Sequence, residues 1–137
     1  MNCGQHVAVG TLLGTGTYVA TGFSMTGLFA FPSYYGGLVL GSLLPDIDHK
    51  QSYLGRRLPF LSAPIQKFFG HRGFTHSLLS LSFLGLATGL YWYVNPLFFG
   101  GLLLGYFSHL LADMATVSGI PLFFPNKKRF TFFKKGK

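Results

Sequence analysis

Three carboxylates and five histidines make up the side chains in this sequence best suited to hold a metal ion near neutral pH. They are Asp46, Asp48 and Asp113, with His6, His49, His71, His76 and His109. Glu is absent and Cys3 is the single cysteine. Two of the carboxylates fall in one stretch, Leu44-Pro-Asp-Ile-Asp-His49, and the third stands four residues after His109. A chain this apolar keeps a carboxylate where a cation or another specific partner holds it, because an unpaired buried charge is costly. On a helix, His109 and Asp113 at i and i+4 share a face and can present an imidazole and a carboxylate to one ion. Asp46 and His49, at i and i+3, can do so from a helical turn, and two such pairs suffice for a four-coordinate site. His6 and His76 would raise the count to six, more than one zinc ordinarily takes, so either two ions bind or some of the six orient the others. The expected cofactor is a divalent metal ion, zinc first with Mn or Mg as alternatives, in one or two copies.

The elements that must position these residues are read from charge and hydropathy. At 137 residues, 49% hydrophobic and 10% charged, the chain is one domain of membrane-protein composition. No Lys, Arg, Asp or Glu occurs from Met1 to Pro45 or from Ser77 to Ala112, two uncharged stretches of 45 and 36 residues. Each is about two bilayer crossings long at roughly 20 residues per crossing. The opening Met-Asn-Cys-Gly-Gln-His carries no basic residue, so a cleaved signal peptide is not expected and the first helix is read as retained. A single cysteine excludes an internal disulfide framework and agrees with a reducing compartment. The net charge of +8 does not point to specific nucleic-acid binding, because all eleven basic residues lie in Lys50 to Arg72 or in Lys127 to Lys137. The positive-inside rule puts both segments, and with them both termini, in the cytoplasm.

The expected architecture is all-α and polytopic, with about four transmembrane helices and a short interfacial helix in the central cytoplasmic loop. The crossings are expected from about His6 to Phe23, from Gly27 or Pro32 to Leu44, from Thr75 or Ser77 to Val94, and from Leu97 to Ala115. Asn95-Pro96 ends the third, and Tyr34 and Tyr35 suit an interfacial belt. Within the loop, Ser62 to Phe69 reads as the interfacial helix, with Ser62 as N-cap, Pro64 in the first turn, and Phe68 and Phe69 for the membrane surface. Each crossing contains a Gly-x-x-x-Gly, at Gly10/Gly14, Gly37/Gly41, Gly85/Gly89 and Gly101/Gly105, the spacing that lets helix backbones approach. The expected division is a helical membrane domain at 1–126 and a basic-aromatic cytoplasmic tail at 127–137, whose cations and aromatics suit membrane lipids.

This topology gathers His6, the 46–49 cluster, His71, His76, His109 and Asp113 at one depth, near the cytoplasmic face. Arg72, between His71 and His76, is placed to hold a phosphate oxygen. Pro45-Asp-Ile-Asp-His49, Ser52-Tyr-Leu-Gly-Arg56, Gly70-His-Arg-Gly-Phe-Thr-His-Ser-Leu78 and Leu104-Gly-Tyr-Phe-Ser-His-Leu-Leu-Ala-Asp-Met114, followed by Gly119-Ile-Pro-Leu122, resemble the YdjM family. That family comprises bacterial inner-membrane-associated proteins regarded as metal-dependent hydrolases. The resemblance runs from Gly4 to Pro125 and implies a helical inner-membrane protein with a His/Asp metal centre. Its motif positions fall on His6, Asp46, His49, His71, His76, His109 and Asp113. A more distant likeness, to zinc-dependent phospholipase C and P1-type nucleases, implies phosphoester hydrolysis. The expected reaction is then metal-assisted hydrolysis of a lipid or other phosphoester at headgroup depth, with a water whose pKa falls from 15.7 towards about 7. Asp48 or His71 would be the general base and Arg72 the anion holder. A divalent-cation transporter or channel, and a non-enzymatic membrane module with a structural metal, are the alternatives.

Overall fold

Asn2 starts the first helix through a reciprocal cap. Its side chain accepts from the Gln5 backbone N–H at 2.9 Å, and the Gln5 side chain accepts from the Asn2 N–H at 2.9 Å. The structure, a computed structural model, describes residues 2–22 and 26–133. The expected end of the first crossing at Phe23, the middle of the turn after it, and the last cations of the tail, Lys134, Lys135 and Lys137, lie outside the described residues.

Helix α1 (Cys3–Thr21) ends at Gly22, whose φ of 59° is the left-handed turn that glycine adopts freely. Helix α2 (Ala30–Leu43) runs directly into a 3-10 turn, Leu44–Asp48, with Pro45 near its start. The short α3 (Tyr53–Arg57) is capped by Ser52, and α4 (Pro59–Phe69) follows at once. A second 3-10 turn, Phe74–His76, leads into α5 (Leu78–Gly89), capped by Ser77, and Asn95 caps α6 (Pro96–Met114). Among the described residues there is no strand; an isolated antiparallel bridge pairs Ile120 with Phe130.

The all-α expectation holds, with corrections inside the central loop and at two ends. The interfacial helix begins at Pro59 and not at Ser62, which is buried in its interior, and Pro64 lies beyond the first turn. Pro59 is the better start because a proline at the first helical position gives up an N–H that has no partner there. Helix α3 was not expected. Helix α5 stops at Gly89, short of Val94, because glycine and the aromatic run Tyr91-Trp-Tyr93 are poor helix formers. Of the four expected crossings, α6 alone among the described residues is both long and apolar enough to span a bilayer by itself. Helix α1 has the length, at 19 residues, but four Gly and four Thr dilute its hydropathy, and α2 and α5 have 14 and 12 residues.

The core is a parallel contact between α2 and α6 built on two of the glycine pairs. A Cβ on Gly37 or Gly41 would meet the carbonyl oxygens of Phe98 and Leu102 at 2.0 and 2.1 Å, and one on Gly101 or Gly105 would meet those of Tyr34 and Leu38 at 2.2 Å. The two backbones therefore touch, and no other residue fits at those four positions. Helix α1 lies antiparallel on α2, with Gly10 against Ser42 and Gly14 against Leu38. Tyr34, expected at an interface belt, instead donates its hydroxyl to the Gly14 carbonyl at 3.0 Å. The Gly85/Gly89 pair is not a close contact, since the nearest atom to a Gly85 Cβ is 4.0 Å away. At the end of the bundle where α1 begins and α6 ends, Tyr106, Leu110 and Ile120 form an apolar cluster, and the ionisable residues sit beside it.

Candidate metal centre

Four elements deliver the ligands to that end: His6 from the first turns of α1, Asp46 and Asp48 from the 3-10 turn after α2, His76 from the one before α5, and His109 and Asp113 from the last turns of α6. His6, Asp48, His76, His109 and Asp113 are all buried, and Asp46 is partly exposed. The Nε2 atoms of His76 and His109 face each other at 3.2 Å. Asp113 Oδ2 lies 3.4 Å from the first and 3.8 Å from the second. Asp46 Oδ1 lies 3.6 and 3.7 Å from the same two atoms. His6 stacks flat on His109, ring centroids 3.6 Å apart, with its Nε2 3.7 Å from Asp113 Oδ1. Donor atoms of His6, Asp46 and His109, of His76, His109 and Asp113, and of Asp46, Asp48 and His76 each come within 4.8 Å of one another.

The hydrogen bonds on the far side of each ring fix what the converging atoms are. His109 Nδ1 lies 2.7 Å from the Ser42 carbonyl oxygen, which can only accept, so Nδ1 carries the proton and Nε2 of the neutral ring is a lone pair. His76 Nδ1 lies 3.1 Å from Asp48 Oδ2, and the same reasoning leaves its Nε2 a lone pair when the ring is neutral. Two lone pairs at 3.2 Å, flanked by two carboxylates, repel one another unless a proton or a cation lies between them. The protein without metal meets this with a proton: burial pushes His76 down, but hydrogen bonding to Asp46 and Asp48 outweighs it and holds its pKa up to about 9. Burial likewise works against the Asp46 charge, and the hydrogen bond from His76 with the neighbouring His109 more than offsets it, so Asp46 stays ionised.

The donor set and its spacing fit a zinc-sized ion. Ligand bonds of about 2.0–2.1 Å in a tetrahedron put the ligand atoms about 3.3–3.4 Å apart. The five separations among Asp46, His76, His109 and Asp113 given above bracket that value, from 3.2 to 3.8 Å. His6 offers a further nitrogen to the same cluster, within 4.8 Å of donor atoms of Asp46 and His109, and its buried Nδ1 has no hydrogen-bond partner among the described residues.

Asp48 stands behind the ligands. Its two oxygens take His71 Nδ1 at 3.0 Å, the Arg72 backbone N–H at 2.9 Å, His76 Nδ1 at 3.1 Å and the Thr75 hydroxyl. Burial opposes its charge, but these bonds hold its carboxyl far below the usual carboxylate range. Arg72, in the left-handed region with φ 58°, donates from Nη2 to Asp113 Oδ1 at 2.9 Å and from Nη1 to Ser118. Asp113 thus gives one oxygen to the guanidinium and turns the other to the two imidazoles. His49 is not among the converging groups; its ring lies 4.5 Å from that of His71. Both line a cavity of about 340 Å³ that opens onto Asp46, with Ser52, Arg56 and Arg72 also on its wall.

The structure therefore brings six of the nine expected site residues, His6, Asp46, Asp48, His76, His109 and Asp113, into one cluster and sets His49, His71 and Arg72 at its edge. Sequence reasoning missed two supports. Thr75, read as a possible start of the third crossing, donates to Asp48, and the Tyr106 hydroxyl is shared between the Thr75 carbonyl and Ser80 Oγ, the latter at 2.9 Å. The signal for Tyr106 was its place one turn before His109 on the same face of α6.

Helices packed through glycine around a buried cluster of His and Asp define an all-α class of protein. The profile of the family described as YdjM inner membrane protein matches residues 1–135, and the chain belongs to that family. The inner membrane protein YdjM of Escherichia coli (strain K12) is 50% identical over 97 residues, covering 67% of this chain and 49% of that protein, and the Shigella flexneri protein of the same name gives the same figures. The uncharacterized protein YvsG of Bacillus subtilis (strain 168) is 44% identical over 90 residues, covering 66% of this chain and 56% of its own length. The chain spans about half the length of these curated relatives. No solved structure matches.

Proposed function

We propose that the chain is a multi-pass inner-membrane hydrolase that uses a divalent cation, zinc first, on a phosphoester or lipid-type substrate at the cytoplasmic face. The observation that carries this reading is the pair of Nε2 lone pairs 3.2 Å apart, flanked by two carboxylates and beside a cavity. Asp46, His76, His109 and Asp113 would hold the cation, with His6 completing the cluster or serving a second ion. A cation bound there would acidify a water and polarise the phosphoryl or acyl oxygen of the substrate. His71 is the general base: its Nδ1 is tied to Asp48, and its side chain is 38% exposed, so Nε2 can exchange a proton in the cavity. Asp48 orients His71 and His76, which is a better use of a fully buried carboxylate than taking the proton itself. Arg72 holds the substrate anion with the N–H groups not committed to Asp113.

Four crossings, with α1, α2, α5 and α6 as the spans and both termini cytoplasmic, follow from the charge distribution and agree with the packing. Helix α2 runs parallel to α6 and antiparallel to α1, as alternating spans require. The short α2 and α5 would cross with help from the residues flanking them.

One observation favours a structural metal instead: five separations among Asp46, His76, His109 and Asp113 lie between 3.2 and 3.8 Å, and a site closed by four protein donors is structural. Asp113→Asn separates the readings, because Asn keeps the side-chain shape and loses the charge. The hydrolase reading expects detergent-purified wild type to carry metal and cleave members of a phosphoester and lipid panel. It expects Asp113→Asn to insert and fold but lose both metal and turnover. A folded variant that kept stoichiometric metal would remove the anchor of the reading, and a variant that lost its fold along with its metal would favour the structural role.

A further inference from the structure

A second cavity, of about 160 Å³, shares His71 and Arg72 with the first, and the proposed hydrolysis does not use its remaining lining. Its cationic wall is Arg72, Lys127 and Arg129, and Phe69 and Phe124 face it. The last two cations come from the tail, far from Arg72 in sequence. The Ile120–Phe130 bridge brings them there, with backbone hydrogen bonds of 3.1 and 2.8 Å, and Thr131 Oγ1 adds a bond to the Thr116 carbonyl at 2.7 Å. Arg72 and Arg129 both donate to Ser118, one to its hydroxyl and the other to its carbonyl.

Arg72 is paired with Asp113, whereas Lys127 and Arg129 are exposed. The chain's three carboxylates all belong to the metal centre, and among the described residues no ion pair engages Lys127 or Arg129. Arg72 Nε is buried without a hydrogen-bond acceptor. Three cations held around one cavity by backbone pairing call for an anion, and tetrahedral phosphate, with up to two charges and several acceptor oxygens, suits them better than a carboxylate. The aromatic side calls for carbon: Phe124 packs on Phe69 and Phe74, ring centroids 6.2 and 5.8 Å away. Pockets for whole small molecules run to roughly 300–1,000 Å³, so this one has room for a headgroup and not for a chain. Phe68, at 77% exposed, and the exposed Phe123 continue the apolar surface outside it.

We infer that the cavity between α4 and the folded-back tail binds the phosphate headgroup of an anionic amphiphile, with Arg72, Lys127 and Arg129 on the phosphate and Phe69 and Phe124 on the first carbons. None of its residues is a proposed metal ligand, although it shares His71 and Arg72 with the proposed hydrolytic site. It gives the tail a defined ligand in place of a general attraction to the membrane surface.

The test uses the full chain in neutral maltoside detergent, with dioctanoyl phosphatidic acid and inorganic phosphate as probes and binding counted by native mass spectrometry, with and without EDTA. One equivalent of phosphatidic acid binds under both conditions. The double variant Lys127→Gln/Arg129→Gln, checked for helix content by circular dichroism, weakens it at least about tenfold, the loss expected for charge-assisted hydrogen bonds. Phe124→Ala weakens phosphatidic acid but not inorganic phosphate, and His109→Ala changes neither. Unchanged affinity in the double variant overturns the proposal. So does wild-type binding that does not weaken as salt is raised, a readout that needs no variant to fold. Inorganic phosphate binding as tightly as phosphatidic acid, with Phe124→Ala silent, would identify a free phosphate ligand and overturn the amphiphile assignment. Loss of binding in EDTA or in His109→Ala would return the anion to the metal centre and overturn the separate site, without touching the hydrolase reading.

Discussion

Asp48 shows how differently two carboxylates one residue apart can be used. Asp46 faces the imidazole nitrogens and is partly exposed, whereas Asp48 is fully buried behind them and accepts from four groups. Asp48→Asn should therefore leave every proposed ligand in place yet weaken metal binding about 10- to 100-fold, the usual cost of losing a group that orients a metal-bound histidine. Metal content at limiting zinc would read it, and an unchanged affinity would return Asp48 to the role of general base. The raised pKa of His76, about 9, has a second consequence. A histidine raised above its ordinary value of 6.5 stabilises the metal-free fold fully below that value and loses the contribution as pH rises through about 9. The melting temperature of the metal-stripped protein should fall across that window. Zinc must displace the same proton, so zinc affinity should rise over the same range; affinity constant from pH 6.5 to 9 would contradict the assignment. Most of this site was legible from the sequence, because in a chain with three carboxylates each one has to be accounted for. The division of labour between Asp46 and Asp48 was not legible. Neighbours in a 3-10 turn point apart, and which of them faces the cluster depends on how Pro45 sets the turn against α6.

At the scale of elements, the glycine pairs separate into those that carry backbone contact and one that does not. Gly41→Ala would place a Cβ 2.1 Å from the Leu102 carbonyl oxygen, while the same change at Gly85 meets nothing closer than 4.0 Å. The first should cost about 1–3 kcal/mol or more, as overpacking does, and the second should be near neutral or stabilising, since alanine favours helix over glycine. Thermal unfolding in detergent compares them, and equal effects would mean that α2 and α6 do not touch as described. The spacing alone offered four equivalent candidates, since it says that a helix could be approached closely and not which helix approaches it. The long loop was legible as structured from its aromatics. Its division into α3 and α4 was not, because the break at Leu58 is set by Pro59 and by a Gly55 whose Cβ would meet the His49 carbonyl oxygen at 2.0 Å.

For the whole molecule, the chemistry sits at one end of the bundle and the turn at the opposite end is uncharged, so topology can be read with two cysteines. In a Cys3→Ser background, Gln51→Cys should resist an impermeant maleimide added outside the cytoplasmic membrane, and Tyr93→Cys, at a position 83% exposed, should react. The reverse pattern would invert the protein in the bilayer and move the centre to the other face. The charge runs made this end-to-end polarity legible. They did not reveal that the tail folds back onto the site, because a single pair of backbone hydrogen bonds leaves no periodicity to read.

That fold-back, with the proposed ligands drawn from both ends of the chain, bears on the order of biogenesis. His6 is made among the first residues and Asp113 only with the last helix, so a ribosome partway through the chain carries an imidazole that has nothing to pair with. On the proposed reading, metal acquisition follows translation of α6. A chain that stops before His109 lacks two of the four proposed ligands and should hold no stoichiometric metal however much zinc is supplied.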